Sequence, residues 1–250
     1  MSGHFSRLKI GMLISIVLFT SLLILETEAI AAPSLGGVPG LVRIPTADFM
    51  QDGIVYGGVN LIPRQSLPYS HFNNDGLVTF MSVTFLPFIE FDLRLTKQLG
   101  RPASERHTVD RSPSIRLKIL RDRGLRPALV LGFHDIFSTV KDGEARHFGS
   151  TYIAATKIFK INHILFTPTL GYGLDAIEAR RYEFQGFFGG AKLQFFAQQH
   201  YAISIEYDSN AFNIGADASI LKLMTLKCAF LDMRYFSFGA SMHFDLFDVF

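Results

Sequence analysis

The chain has 250 residues, 24 basic and 22 acidic side chains for a formal net charge of +2, and one cysteine, Cys228. The near-balance of charge leaves no nucleic-acid footprint, and a lone cysteine excludes both an intramolecular disulfide and a multi-cysteine metal site. Mean hydropathy is high at +0.25, yet after residue 31 no apolar run approaches the roughly 18–20 residues a membrane helix needs.

No Gly/Ser/Pro-rich linker divides the sequence, which reads as one domain behind a targeting segment. Arg7 and Lys9 precede the apolar run from Ile10 to Leu25, and polar Glu26, Thr27 and Glu28 lead to the small-x-small site Ala29-Ile30-Ala31. This is the pattern of a secretory signal over 1–31, cleaved near Ala31 or Ala32. The run is slightly long for a signal core, so an uncleaved signal anchor is the alternative. No cysteine follows it, which excludes a lipoprotein anchor. A periplasmic lead-in segment is expected over 32–52, and a barrel over 53–250.

From Gly53 onward there are twelve candidate strands, at 53–62, 77–86, 88–97, 113–121, 127–137, 149–158, 161–173, 185–196, 200–208, 212–220, 223–231 and 234–245. Each is close to the roughly 9–11 residues that cross a bilayer when tilted, and no sustained 3.6-residue period competes with them. The connections at 63–76, 98–112, 138–148 and 174–184 are long and polar, whereas those at Pro87, 122–126, 159–160 and 197–199 are short. Alternating long and short connections are a property of outer-membrane barrels, whose periplasmic turns are short and whose outward loops are free to grow. The fold class expected is therefore an all-β, antiparallel transmembrane β-barrel of about twelve strands.

The strands give the barrel a direction. In "FIEFDLRLTK" the residues Ile89, Phe91, Leu93 and Leu95 share one face, and Glu90, Asp92, Arg94 and Thr96 share the other. The next strand sets Ile115, Leu117 and Ile119 against Ser114, Arg116 and Lys118. Arg or Lys facing lipid at the midplane costs about 2–4 kcal/mol, so the charges must point inward. Antiparallel pairing then brings Glu90 and Asp92 within reach of Arg116 and Lys118 in a lumenal polar network, to which Arg94, Glu206 and Asp208 are assigned as well. Two features run against this pattern. Pro168 sits inside a strand and calls for a bulge, and there is no Trp for the interfacial girdles, a part left to 25 Phe and 8 Tyr. The C-terminus, with Phe244, Leu246 and Phe250 on one face, resembles the terminal aromatic signal of outer-membrane barrels, although Asp248 interrupts it.

Candidate chemistry is sparse. His134 and Asp135 are strand neighbours and point to opposite faces, so they cannot easily act on one atom. Asp135 reads as an acceptor for backbone or Arg donors near a strand end, and Asp110-Arg111-Ser112 as a loop turn with an ion pair. Glu206 and Asp208 share a face, as paired carboxylates in acid/base or glycosidic chemistry do, but a polar barrel interior accounts for them equally. His243 has no nucleophile elbow near it, and His71, His107, His147, His163 and His200 lack metal-ligand spacing. No cofactor or metal is expected. The loops "GRPASERHTVD" and "LDAIEARRYEF", the latter with Arg180 and Arg181, are either a surface for polymer or ordinary solvated loops.

The segment "GLVRIPTADFMQDG" resembles the Gly-Leu-x-x-x-Pro-Thr-Ala opening of the YjbH-like outer-membrane proteins associated with exopolysaccharide production, with Gly40, Leu41, Pro45, Thr46, Ala47, Asp52 and Gly53 in place. Similar too are "DRSPSIRLKIL", which carries Asp110, Arg111 and Ser112, "PALVLGFHDIFST" with Asp135, "YIAATKIF", "LGYG", "FFGGAKLQF" and "IEYDSNAFNIGA", in order across nearly the whole mature chain. The resemblance implies an outer-membrane barrel with a role in making or exporting extracellular polysaccharide, and with the sparse candidate chemistry the reading expected is a non-enzymatic barrel in the outer membrane of a Gram-negative bacterium. Its implied partners are outer-membrane lipid, extracellular polysaccharide and other export-system proteins. The chain holds about one barrel's worth of strands, fewer than long members of the family. The alternatives are an outer-membrane enzyme acting on lipid or glycan, and a passive narrow pore.

Overall fold

The computed structural model describes residues 31–69, 74–100, 109–137, 146–195, 201–220 and 223–247. The targeting segment, Asp248 and Phe250, and His71, His107 and His200 lie outside the described residues, as does most of the loop "GRPASERHTVD". Thirteen strands are present among the described residues: β1 (Ile54–Ile62), β2 (Gly76–Phe85), β3 (Ile89–Gln98), β4 (Val109–Leu120), β5 (Ala128–His134), β6 (Ser150–Thr156), β7 (Phe159–Ile161), β8 (Ile164–Leu174), β9 (Gly186–Phe195), β10 (Tyr201–Tyr207), β11 (Phe212–Ile220), β12 (Met224–Leu231) and β13 (Tyr235–Asp245).

All neighbours are antiparallel, β1 pairs with β13, and β6 pairs with β8, so the sheet closes on itself. β6 takes the Thr169–Leu174 half of β8, and β7 takes Ile164–Phe166. The two are one strand interrupted at Lys157 and Ile158, and the ring is a closed twelve-strand barrel. The interruption faces Pro168. Lys157 N–H donates to the Pro168 carbonyl at 3.1 Å, but proline has no N–H to return, and Ile158 N–H turns to Asp122 Oδ2 at 2.9 Å. The irregularity that Pro168 demands therefore lies in the neighbouring strand. It also moves a boundary: the turn expected at 159–160 is at Asn162, whose φ is 50°, because the chain resumes pairing through 159–161.

A second boundary moves at β4, which begins at Val109 rather than 113. Asp110, Arg111 and Ser112 are strand residues, not a loop turn, because β3 extends to Gln98 and pairs Lys97 with Val109 and Leu95 with Arg111. The strand ends that flank the long connections 63–75, 99–108, 135–149 and 175–185 all lie at one end of the barrel, here the loop end. Both β1 and β13 terminate the ring at the other, the terminal end.

Faces alternate along the strands, with a register shift between Lys118 and Leu120 in β4. In β3, Glu90, Asp92, Arg94 and Thr96 are buried inward while Phe91 and Leu93 are exposed, and Met81, Ile153, Phe187, Ile203, Phe230 and Phe238 continue the outer apolar belt. That belt is the lipid-facing surface of an outer-membrane barrel. The inner surface is not uniformly polar, since Val78, Val130, Tyr152, Phe188 and Leu231 are buried there too. Tyr152 lies across Gly132, where an added Cβ would fall 2.1 Å from the Tyr152 Cζ. Gly132→Ala is expected to cost about 1–3 kcal/mol through overpacking. The temperature at which the unboiled gel band loses its fast mobility should drop; an unchanged temperature would contradict the packing described.

Candidate functional site: a plugged lumen and the cavity above it

Residues 31–50 carry no strand or helix period, and they fold into a compact loop through bridges between Pro33 and Pro39 and between Gly40 and Pro45. Gly40 is required there, because a Cβ would sit 2.3 Å from the Ile44 carbonyl oxygen. The loop is inside the ring, with Leu41, Val42 and Ile44 wholly buried. Leu35 and Val42 pack on Ile62, Leu67, Val78 and Leu231. On the other side Leu41, Ile44 and Ala47 pack on Val130, Tyr152, Phe184 and Phe188. The segment expected as a periplasmic lead-in is thus largely a lumenal plug, and the apolar inward side chains are its seat.

Inward polar groups hold the plug mostly by its main chain. The Glu206 carboxylate accepts N–H bonds from Val42 and Arg43, both at 2.8 Å, and from Ile44 at 3.3 Å, and Asn213 Nδ2 donates to it at 3.0 Å. Lys227 Nζ donates to the Leu41 carbonyl and pairs with Asp217, each at 2.6 Å. Arg116, fully buried, pairs with Glu90 at 2.5 Å and donates to the carbonyls of Thr46 and Asp48. Ala47 N–H donates to Thr156 Oγ1 at 2.8 Å, and Asn60 Nδ2 to the Leu35 carbonyl at 2.8 Å. The bonds made by Glu206, Lys227 and Arg116 are charge-assisted, a kind about twice as strong as neutral ones. Two spaces beside the plug are about 30 Å³ and about 10 Å³, each room for a water or so.

The charges assigned to one lumenal network divide among several tasks. Glu90 and Arg116 anchor the plug, Asp92 takes the Ser82 hydroxyl, and the Lys118 ammonium lies 4.4 Å from the Phe49 ring centroid. Arg94 belongs to a second cluster at the loop end. Its guanidinium stacks 3.5 Å above Phe148 and reaches Glu183 at 3.4 Å. Glu183 also meets Arg43 of the plug at 3.3 Å, and Arg43 meets Asp208 at 3.4 Å. Above these groups opens a cavity of about 510 Å³.

The loop that supplies Glu183 is folded down onto its neighbour. Arg180 and Arg181 donate their N–H groups to the Arg146 carbonyl at 3.0 and 3.3 Å, and Glu183 N–H donates to Gly149 O at 2.9 Å. The side chains of Arg180 and Arg181 are exposed, and Arg181 lines the cavity. Asp110 accepts the Tyr69 hydroxyl at 2.5 Å, Ser112 is buried inward, and Arg111 is exposed on the outer face. Thr46 Oγ1 donates to Asp48 at 3.1 Å.

Glu206 and Asp208 meet across Asn213, which donates to both. Both carboxylates already accept several bonds, with Asp208 Oδ1 taking the N–H groups of Asn210 and Ala211. His134 points inward between Tyr152 and Phe184, with Nδ1 3.9 Å from Glu183, whereas Asp135 turns away at φ 54° to accept Phe148 N–H at 3.2 Å. Among the described residues no three His, Cys, Asp or Glu side chains are placed to hold a metal ion.

Two loop-end carboxyls respond to pH in opposite senses. Burial pushes the Asp135 carboxyl up to about 6. Burial also opposes ionisation of Glu183, but Arg94, His134 and Arg43 more than offset it and hold that group at about 2. For Asp135 the folded state binds its proton more tightly than the unfolded value of about 3.9 allows, so its contribution is full below about pH 4 and is lost as pH rises to about 6. For Glu183 the contribution is full above about pH 4.3 and is lost as pH falls towards 2. The wild-type protein should therefore lose thermal stability between pH 4 and 6 relative to Asp135→Asn; parallel pH profiles for the two proteins would refute this.

Lys227, Asp217 and Asn213 were open to the same alternation argument as Arg116, since Lys227 stands between outward Leu226 and Cys228. Arg43 and Glu183 carry no such signal, because both lie in aperiodic segments.

The YjbH family model, described as "Exopolysaccharide biosynthesis protein YbjH", matches residues 34–249. No curated protein matches the chain. Among solved structures the chain is similar to a KdgM porin, at 8% identity and a TM-score of 0.45 over 76% of this chain and 97% of that one. It is also similar to an outer membrane channel from Pseudomonas putida F1, at 10% identity and a TM-score of 0.38 over 81% of this chain and 98% of that one.

Proposed function

The chain belongs to the YjbH family, and from that premise we propose that it is a non-enzymatic outer-membrane barrel supporting the production or secretion of exopolysaccharide in a Gram-negative bacterium. It reaches the membrane through a cleaved N-terminal signal. The loop end faces the cell exterior and the terminal end the periplasm, the arrangement in which long loops are outermost. Its partners are outer-membrane lipid, the polymer, and other proteins of the export system.

The observation that carries this reading is the seated plug, considered together with the family. Glu206 and Arg116, the inward charges that an enzyme or an open pore would present to a substrate, are bonded to the chain's own residues 41–48. A passive pore is the weaker reading on the same ground, because a twelve-strand lumen is narrow even when empty.

Deleting the gene should lower cell-surface polymer while leaving membrane lipid composition unchanged, and purified protein in a planar bilayer should pass little current. Normal polymer in the deletion strain would sink the proposal. Release of fatty acid or sugar by the purified protein, lost on mutating Glu206, Asp208 or His134, would replace it with the enzymatic alternative.

A further inference from the structure

Resting on that reading, we infer that the cavity at the loop end is a binding site for a short neutral saccharide segment of the polymer. About 510 Å³ is within the range of sites that enclose small molecules, roughly 300–1,000 Å³. Its charged lining is Glu183, Asp208 and Asp232 against Arg43 and Arg181. Among the described lining residues carboxylates outnumber guanidinium groups, so these supply no surplus cation to hold a phosphate or a uronate.

The remaining features select a polyhydroxylated ligand. Arg43 sits on the cavity floor with 26% of its side chain exposed, and its contacts to Glu183 and Asp208 are long, 3.3 and 3.4 Å. A guanidinium donor beside a carboxylate acceptor suits adjacent hydroxyls, each of which both donates and accepts. Tyr182 and Tyr235, both half-buried, line the same cavity. Their rings offer apolar area with a polar tip, which suits the apolar face and hydroxyl rim of a pyranose.

The floor is also pre-organised. The Arg43 N–H is bonded to Glu206, and Asp208 is fixed by Asn210, Ala211 and Asn213. A saccharide seated here touches the plug directly through Arg43.

The test uses the full mature barrel in detergent and the exopolysaccharide of its own strain, partly hydrolysed and separated into neutral and acidic oligosaccharides. Saturation-transfer NMR and calorimetry should show binding of the neutral fraction, weakened about tenfold by Tyr235→Ala, with Arg181→Ala as a second variant; both should keep the fast-running unboiled band. No binding by wild-type protein, binding by both variants equal to that of wild type, or preference for the acidic fraction would overturn the inference. Polymer loss on gene deletion without oligosaccharide binding removes the site and leaves the proposed function standing. Binding with unaltered polymer does the reverse.

Discussion

Replacing Glu206 by Ala is expected to unseat the plug and turn a nearly silent barrel into a conducting one. The carboxylate is the acceptor for three successive N–H groups, those of Val42, Arg43 and Ile44. An orphaned buried donor costs about 1–3 kcal/mol, so three weaken the seat by about 3 kcal/mol or more, about a hundredfold in the population with the plug displaced. Glu206→Gln should be intermediate, since it keeps one acceptor oxygen but turns an amide donor towards N–H groups. Planar-bilayer current reports the plug, and the mobility of the unboiled band reports the ring. A Glu206→Ala barrel that keeps its fast mobility and stays as silent as wild type would show that the apolar seat alone holds residues 31–50.

The second large effect concerns the buried pair of Arg116 and Glu90. Removing one partner of such a pair strands the other, at a cost of about 3–5 kcal/mol, whereas replacing both by apolar groups of similar volume is often neutral. Arg116→Met leaves the Glu90 carboxylate without its guanidinium partner, keeping the Tyr56 hydroxyl at 3.1 Å, and takes a donor from the Thr46 and Asp48 carbonyls. The single variant should unfold at much lower urea than wild type in lipid vesicles, and the double variant Arg116→Met/Glu90→Leu should recover at least half of the loss. A double variant as weak as the single would assign the stability to the plug carbonyls instead of the pair.

The ring was readable from the chain because its rule is local. In β3, alternation of Phe91 and Leu93 with Glu90, Asp92 and Arg94 sets both the strand and its inward face, and the register follows once Glu90 pairs with Arg116. Errors arose where the local rule is interrupted. The break at Lys157 is imposed by Pro168 across the sheet, a long-range cause that residues 157–161 do not reveal. Asp110 and Ser112 looked like loop because they are polar, yet they are inward positions of a strand.

The plug was not legible, because residues 31–50 have no period and their partners are up to 186 positions away, as for Leu41 and Lys227. One hint was present. Val78, Val130, Tyr152 and Phe188 fall on the same inward parity as the charges, and a wholly water-filled lumen gives such side chains no reason to be there. An inner wall that is partly apolar implies a dry occupant.

The plug has a topological property that matters for assembly. Ala31 and Met50 pack together with Ile54 at the start of β1, while Arg43 between them reaches the loop end. Among the described residues the plug is therefore a fold-back whose two ends, Ala31 and Met50, meet at the same mouth, and the segment between them is not threaded through the ring. Pairing of β1 with β13 can finish before or after residues 31–50 arrive, and they can withdraw and return without one strand pair opening. Closing the barrel and filling it are separable events on the folding route.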